Sequence, residues 1–136
     1  MISFHIEEID FQIQNKEKLI HWIESTIIKE NKSLNTISYI FCSDEYLHKI
    51  NLQYLQHDTL TDIITFPYND GDNIEGDIFI SIDRIKENSQ IFKTSFDKEL
   101  HRVMIHGVLH LIGYGDKSPE EKSLMTQNEN KYLSFL

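Results

Sequence analysis

The segment from Asp97 to Ile112 constrains this chain more than any other stretch. At about 100° per residue, Leu100, Met104, Val108 and Leu111 fall on one face of a helix. Toward its end the segment is apolar nearly all round. Thr94 or Ser95 can cap its start, and Gly113 is a natural stop. Two imidazoles interrupt the apolar run, His106 and His110. Four residues apart, they lie within about 40° of each other and one turn apart. His101 points elsewhere, about 140° from His106 on the same arithmetic.

The other elements read from period and punctuation. "ISFHIEEI" is a strand. After Asn15 as a helix cap, Leu19, Ile23 and Ile27 recur at helical spacing. "NTISYIFC" alternates as a strand buried on both faces. Ser43 caps a second helix with an inner stripe of Leu47, Ile50 and Tyr54. "DIITFPY" and "GDIFISI" are short strands separated by the turn-rich "NDGDNIEG". Pro67 lacks a donor, which places its strand at an edge or ends it there. A helical turn or two follows from Asp83. Ser118, Pro119 and Glu121 open a last helix with a cap, a first-position proline and a capping-box glutamate. The order β-α-β-α-β-β-α-α-α describes one α+β domain over residues 1–136. It has about four strands in a mixed sheet, about five helices, and the histidines on the long helix.

Composition removes several classes. Of 136 residues, 40% are apolar and 26% charged, as in a globular protein. No apolar run approaches a membrane span. The start, "MISFHIEEID", lacks a basic head and an apolar signal core, so the expected compartment is the cytoplasm. Cys42 is the only cysteine, which excludes an internal disulfide and points to a small buried hydrophobe. The net charge of −9 argues against non-specific nucleic-acid binding, though a local basic patch needs only a few cations.

Two imidazoles one turn apart can converge on a metal ion. They can equally be two partly buried histidines, each donating to a carbonyl. Context favours the metal: polar groups in an apolar segment need partners. Past the helix end, "GYGD" lets the chain reverse, so that Asp116 can swing back toward the histidines. Three ligands, with a fourth position left to water, make the layout of a catalytic zinc site with one ion per chain. The alternative for Asp116 is an ordinary solvent-facing loop aspartate. A metallopeptidase of the His-Glu-x-x-His kind needs a glutamate where Gly107 stands, and a nucleobase deaminase needs a Cys-x-x-Cys pair that is absent.

"HGVLHLIGYGD" resembles the signature of the YbeY family of bacterial endoribonucleases, His-Gly-x-Leu-His-Leu-x-Gly-Tyr-Asp-His. "INLQYLQHDTLTDIITFP" resembles the family segment Leu-Asn-x-x-Tyr-Arg-x-x-Asp-x-Pro-Thr-Asp-Val-Leu-Ser-Phe-Pro, and "GDIFIS" resembles its Gly-Asp-Ile-x-Ile-Ser strand. The resemblance implies an α+β domain holding zinc. It also implies cleavage of single-stranded RNA, with a role in ribosomal RNA maturation and ribosome quality control. A ribosome or a ribosome-associated GTPase is the implied partner. Carried over, the ligands are His106, His110 and, where the family has a third histidine, Asp116. The family aspartate before it is Gly115 here, and the family arginine is Leu55. His57, two positions on, is the nearest substitute for that arginine. Arg102, four before His106 on nearly the same side, is a second catalytic candidate, able to face a phosphate or to pair with Glu99. Glu99 itself lies on the histidine stripe. Arg84, Lys86, Lys93 and Lys98 are a basic route for RNA or simply a solvated face. Two other readings stay open: a non-catalytic ribosome-associated factor with a bracing metal, and a metal-dependent hydrolase of another substrate class.

Overall fold

The computed structural model describes residues 1–57 and 60–136. Four strands form one sheet: β1 (Ile2–Glu7), β2 (Ser33–Cys42), β3 (Ile63–Pro67) and β4 (Asn73–Ser81), in the order β1-β2-β4-β3. β1, β2 and β4 run parallel, and β3 pairs antiparallel to β4, so the sheet is mixed. Parallel neighbours need crossovers. The first is α1 (Lys16–Lys29). α2 (Asp44–Ile50) follows β2, and α3 (Ile82–Ile91), α4 (Phe96–Ile112) and α5 (Pro119–Leu133) follow β4. Pro67 ends β3 on the sheet edge, where a missing donor costs nothing.

The core lies between one sheet face and the helices. β2 contributes Ile37, Tyr39 and Phe41, and β4 contributes Ile74, Ile78 and Ile80. They meet Leu19, Trp22, Ile23 and Ile27 of α1. α4 buries Leu100, Val103, Met104, Ile105, Val108, Leu109 and Leu111, each worth roughly 1.5–3 kcal/mol when fully covered. Polar side chains lock the layers at their margins. The buried Tyr39 hydroxyl donates to the Met104 carbonyl at 3.0 Å, tying sheet to α4. Trp22 Nε1 donates to the Tyr132 carbonyl at 2.7 Å, tying α1 to α5. Glu30 accepts from both the Tyr114 and Tyr132 hydroxyls, which holds the segment after α4 and the last helix to the end of α1.

α4 packs tightly against the sheet at Gly107. A Cβ there would lie 3.0 Å from Ile63 Cδ1 and Ile78 Cγ2, which gives the glycine between the histidines a packing reason of its own. Ser95, not Thr94, caps the helix by accepting from the Lys98 amide. Gly113 ends it at φ 126, as its lack of a side chain permits. The Ser118 capping box forms as expected.

Several expectations need correcting. Asn15 occupies the cap position of α1 but in the left-handed conformation, without a side-chain bond. β2 is fully buried on the α4 side only; the opposite face is covered near Cys42, Leu47 and Ile64, under α2. α3 runs ten residues instead of a turn or two. α2 stops at Ile50 and widens into a π-helical turn over Asn51–Leu55. The wider turn shifts the phase, and Tyr54 leaves the inner stripe to stand 59% exposed. No helix among the described residues is long and apolar enough to cross a membrane.

Gly76 sits where β4 passes under α4. A Cβ there would meet the Phe66 carbonyl oxygen at 2.7 Å and Leu111 Cδ2 at 2.8 Å. Gly76→Ala is expected to lower stability by about 1–3 kcal/mol, read as a lower urea midpoint with an unchanged slope. A midpoint at the parental value would show that β3 and Leu111 give way freely.

Candidate metal centre

His106 and His110 leave α4 on the side facing Asp116, which the reversal at Gly113 brings back over the last turn. His110 Nε2 lies 3.1 Å and His106 Nε2 3.5 Å from the same oxygen, Asp116 Oδ2. The two rings meet edge to face at 4.6 Å. One ligand atom from each of the three residues lies within 4.8 Å of the others, the only such grouping of three or more among the described residues. Donors about 2.0–2.2 Å from a tetrahedral ion stand roughly 3.3–3.6 Å apart, so the donor set fits a metal such as zinc. The three side chains are 20%, 25% and 41% exposed for His106, His110 and Asp116, and a cavity of about 370 Å³ opens in front of them. Three ligands facing a cavity match a centre with a free coordination position better than a closed structural site.

A fourth residue orients the first histidine. Glu129 of α5 is buried, and its Oε2 lies 2.7 Å from His106 Nδ1. A carboxylate accepts there, so Nδ1 carries a proton and Nε2, on the cavity side beside Asp116, is the nitrogen that can take a metal. The other carboxylate oxygen, Oε1, accepts from Arg102 Nη1 at 2.8 Å, and Arg102 Nη2 donates to Asn130 Oδ1 at 2.7 Å. Glu129 is therefore a bridge between α4's histidine and its arginine. Burial raises the pKa of Glu129, but the bonds to His106 and Arg102 outweigh it and hold it below the usual carboxylate range. Burial likewise pulls His106 down, while the bond and charge of Glu129, with Asp116 and Asp62, carry it above the ordinary imidazole value.

The remaining candidates separate. Arg102 lines the cavity but pairs with Glu129 and Asn130, not with Glu99. His57 is exposed on the segment after the π-helical turn and is not among the cavity-lining residues; Leu55 is likewise exposed and outside it. Asp58 and Thr59, inside the same motif, lie outside the described residues. His101 packs edge-on to Trp22, where burial lowers its pKa. Arg84 is committed to Asp44 at 3.0 Å and to Glu87, so it drops out of the basic route. Lys86, Lys93 and Lys98 remain exposed, and Lys98 borders a groove of about 730 Å³ adjoining the cavity.

Two carboxylates were not singled out as site residues beforehand. Asp62, from the Thr-Asp pair of the second motif, lines the cavity, and burial raises its pKa. Glu129 stands 23 residues beyond His106 on another helix. Its signal was in the α5 stripe: Met125, Glu129 and Tyr132 are its buried residues, and a glutamate on a core stripe needs a buried partner. Gly115 also finds a reason, since a Cβ there would run into the Glu121 carboxylate of the capping box.

The family model for Endoribonuclease YbeY matches residues 1–136. A protein of Flavobacterium psychrophilum named Endoribonuclease YbeY is 56% identical over 135 residues, covering 99% of this chain and 96% of that protein. Its namesake in Flavobacterium johnsoniae is 47% identical over the same coverage. The solution structure of TM1509 from Thermotoga maritima superposes with a TM-score of 0.69 at 29% identity, covering 97% of this chain and 86% of that one.

Glu129→Gln keeps the shape but removes the charged acceptor behind His106. With zinc as the probe metal, it is expected to weaken metal binding at this centre roughly 10–100-fold in competition with a chelator. Parental affinity would show that His106 is oriented without Glu129.

Proposed function

The chain belongs to the YbeY endoribonuclease family, and from that premise we propose that it is a zinc-dependent endoribonuclease that cuts single-stranded RNA during ribosomal RNA maturation and quality control in the cytoplasm. The observation that carries this reading is the convergence of His106, His110 and Asp116 at the floor of an open cavity. A bracing role for the metal sits less well with that opening, because structural zinc sites close their coordination with a fourth protein ligand.

A zinc ion held by these three residues supplies Lewis-acid polarisation of a phosphate oxygen and acidification of a water molecule. The chain's own groups do the rest. Glu129 holds a proton of His106 on Nδ1, which leaves Nε2 as the nitrogen turned to the metal. Asp116 adds a negative charge where the family has a neutral histidine, which tightens the hold on a cation and tempers its acidity. Arg102 is pinned by two donated bonds, and its side chain is still 37% exposed. With five N–H donors in all, it keeps others for a phosphate oxygen. It offers a positive group at the cavity although Leu55 replaces the family arginine. Lys98 and the exposed lysines of α3 and the turn after it supply the local cations that a chain of net charge −9 needs to approach ribosomal RNA, on the ribosome or beside a ribosome-associated GTPase.

Two measurements test the proposal. Purified protein should carry about one zinc per chain, and replacing His106 and His110 together with Ala should abolish it. Asp116→Ala should weaken binding by orders of magnitude with little loss of fold, while Asp116→His should keep the metal. Full metal content in the double-histidine variant, or parental affinity in Asp116→Ala, would refute the ligand set. Cleavage and binding of a single-stranded RNA should both fall steeply as salt rises. An RNA affinity indifferent to ionic strength, or no cleavage by the zinc-loaded protein, would overturn the nuclease reading.

A further inference from the structure

Glu99 stands on the histidine stripe of α4, two turns before His106 and about 10 Å along the axis. It is only 6% exposed, and it lines both the cavity before the metal ligands and the adjoining groove toward Lys98 and Phe92. Its surroundings leave its carboxylate without a partner. Among the described residues the carboxylate makes no hydrogen bond and no ion pair. Arg102, the cation beside it, is given to Glu129 and Asn130. No fully buried side-chain nitrogen or oxygen among the described residues lacks a partner. The Glu99 oxygens therefore keep an opening, and the spaces it lines are the cavity and the groove.

A buried carboxylate without a donor is costly, and its place in the first turn of α4, shared with Asp97, offsets only part of that cost. Asp97 complements the N-terminus of α4 from an exposed position in the same turn. Burial, with Asp62 and Glu129 nearby, pushes the Glu99 pKa up against the opposing charge of Arg102. Through that opening a ligand can bring a donor to the Glu99 oxygens in place of solvent. A second metal is not set up, since His106, His110 and Asp116 are the only such grouping among the described residues. Phosphate oxygens are acceptors and carry the wrong charge. An RNA strand offers neutral donors of three kinds: the ribose 2′-hydroxyl, the exocyclic amines of some bases, and the ring N–H of guanine and uracil. The hydroxyl is present on every nucleotide and is what separates RNA from DNA. Glu99 is also displaced from the histidines along the path to the groove, so a strand with its scissile phosphate at His106 and His110 would bring a flanking nucleotide toward it.

We propose that the Glu99 carboxylate accepts a hydrogen bond from the 2′-hydroxyl of a nucleotide flanking the scissile phosphate, and so selects RNA over DNA. This rests on the endoribonuclease reading of the same cavity. It adds a specificity residue that neither the metal set nor Arg102 provides.

The test is a double-substitution cycle on the zinc-loaded full chain. A single-stranded oligoribonucleotide is prepared with one 2′-deoxy sugar walked through it, and kcat/KM and Kd are measured for the parent, Glu99→Met and Glu99→Gln. The parent should lose roughly tenfold or more at one flanking position, as expected for a hydrogen bond to a charged acceptor. Glu99→Met should lose a similar factor on the all-ribose strand and nothing further at that position, with zinc content and melting temperature kept. Glu99→Gln retains an amide oxygen and should recover part of the 2′-deoxy penalty; it also serves if Glu99→Met does not fold. A 2′-deoxy penalty in Glu99→Met or Glu99→Gln equal to the parent's at every position would overturn the assignment. Coupling to inosine in place of guanosine instead would give the donor to a base amine and overturn it as well. Binding separates the two proposals: a parent that binds but does not cut the all-ribose strand sinks the nuclease reading, while the cycle in Kd still decides for or against Glu99.

Discussion

Everything in this molecule depends on how α4 is covered. The helix has to bury seven apolar side chains and still present His106, His110, Arg102 and Glu99 to one cavity. The sheet satisfies the first demand by coming close at Gly107, where Ile63 and Ile78 lie at van der Waals limits. That contact carries β3, and with it Thr61, Asp62 and Thr65, to the cavity wall. α5 covers another side and brings Glu129. A polar stripe on a buried helix is tolerable because the two neighbouring elements leave a gap along it and line that gap with partners.

Glu129 couples the parts of this site. One of its oxygens receives His106 and the other receives Arg102, so the imidazole and the guanidinium share a single anchor. The anchor is set by the packing of α5, which Trp22 and Glu30 fasten to α1. Glu30 also takes the Tyr114 hydroxyl, two residues before Asp116. Asp116 and the Glu129 carboxylate are thus both tethered to the end of α1, remote in sequence from the histidines.

The elements were legible wherever a local signal decided them. The 3.6-residue stripe and the serine caps placed α4 and α5, and the alternation of Ile37, Tyr39 and Phe41 placed β2. Gly113 announced the reversal that returns Asp116. Local signals failed where neighbours determined the outcome. Tyr54 kept the helical phase of Leu47 and Ile50 in the sequence, yet the π-helical turn rotated it into solvent. Arg84 read as one of a run of free cations, and Asp44, 40 positions away, claims it. His57 was nearest in sequence to the absent arginine, but nearness along the chain did not bring it to the cavity.

By itself, the sequence determined the helix that carries the histidines, their common face, the stop that lets Asp116 return, and the family to which these motifs belong. These depend on spacing and on glycine and serine at helix ends, and such terms act within one or two turns. Tertiary structure alone decided which charges are spent on each other and which remain for a ligand. Arg102 went to Glu129 instead of Glu99, and Glu99 was left facing the cavity. Pairing of that kind depends on which helices lie side by side, and burial of their apolar stripes, not the charges themselves, settles that arrangement.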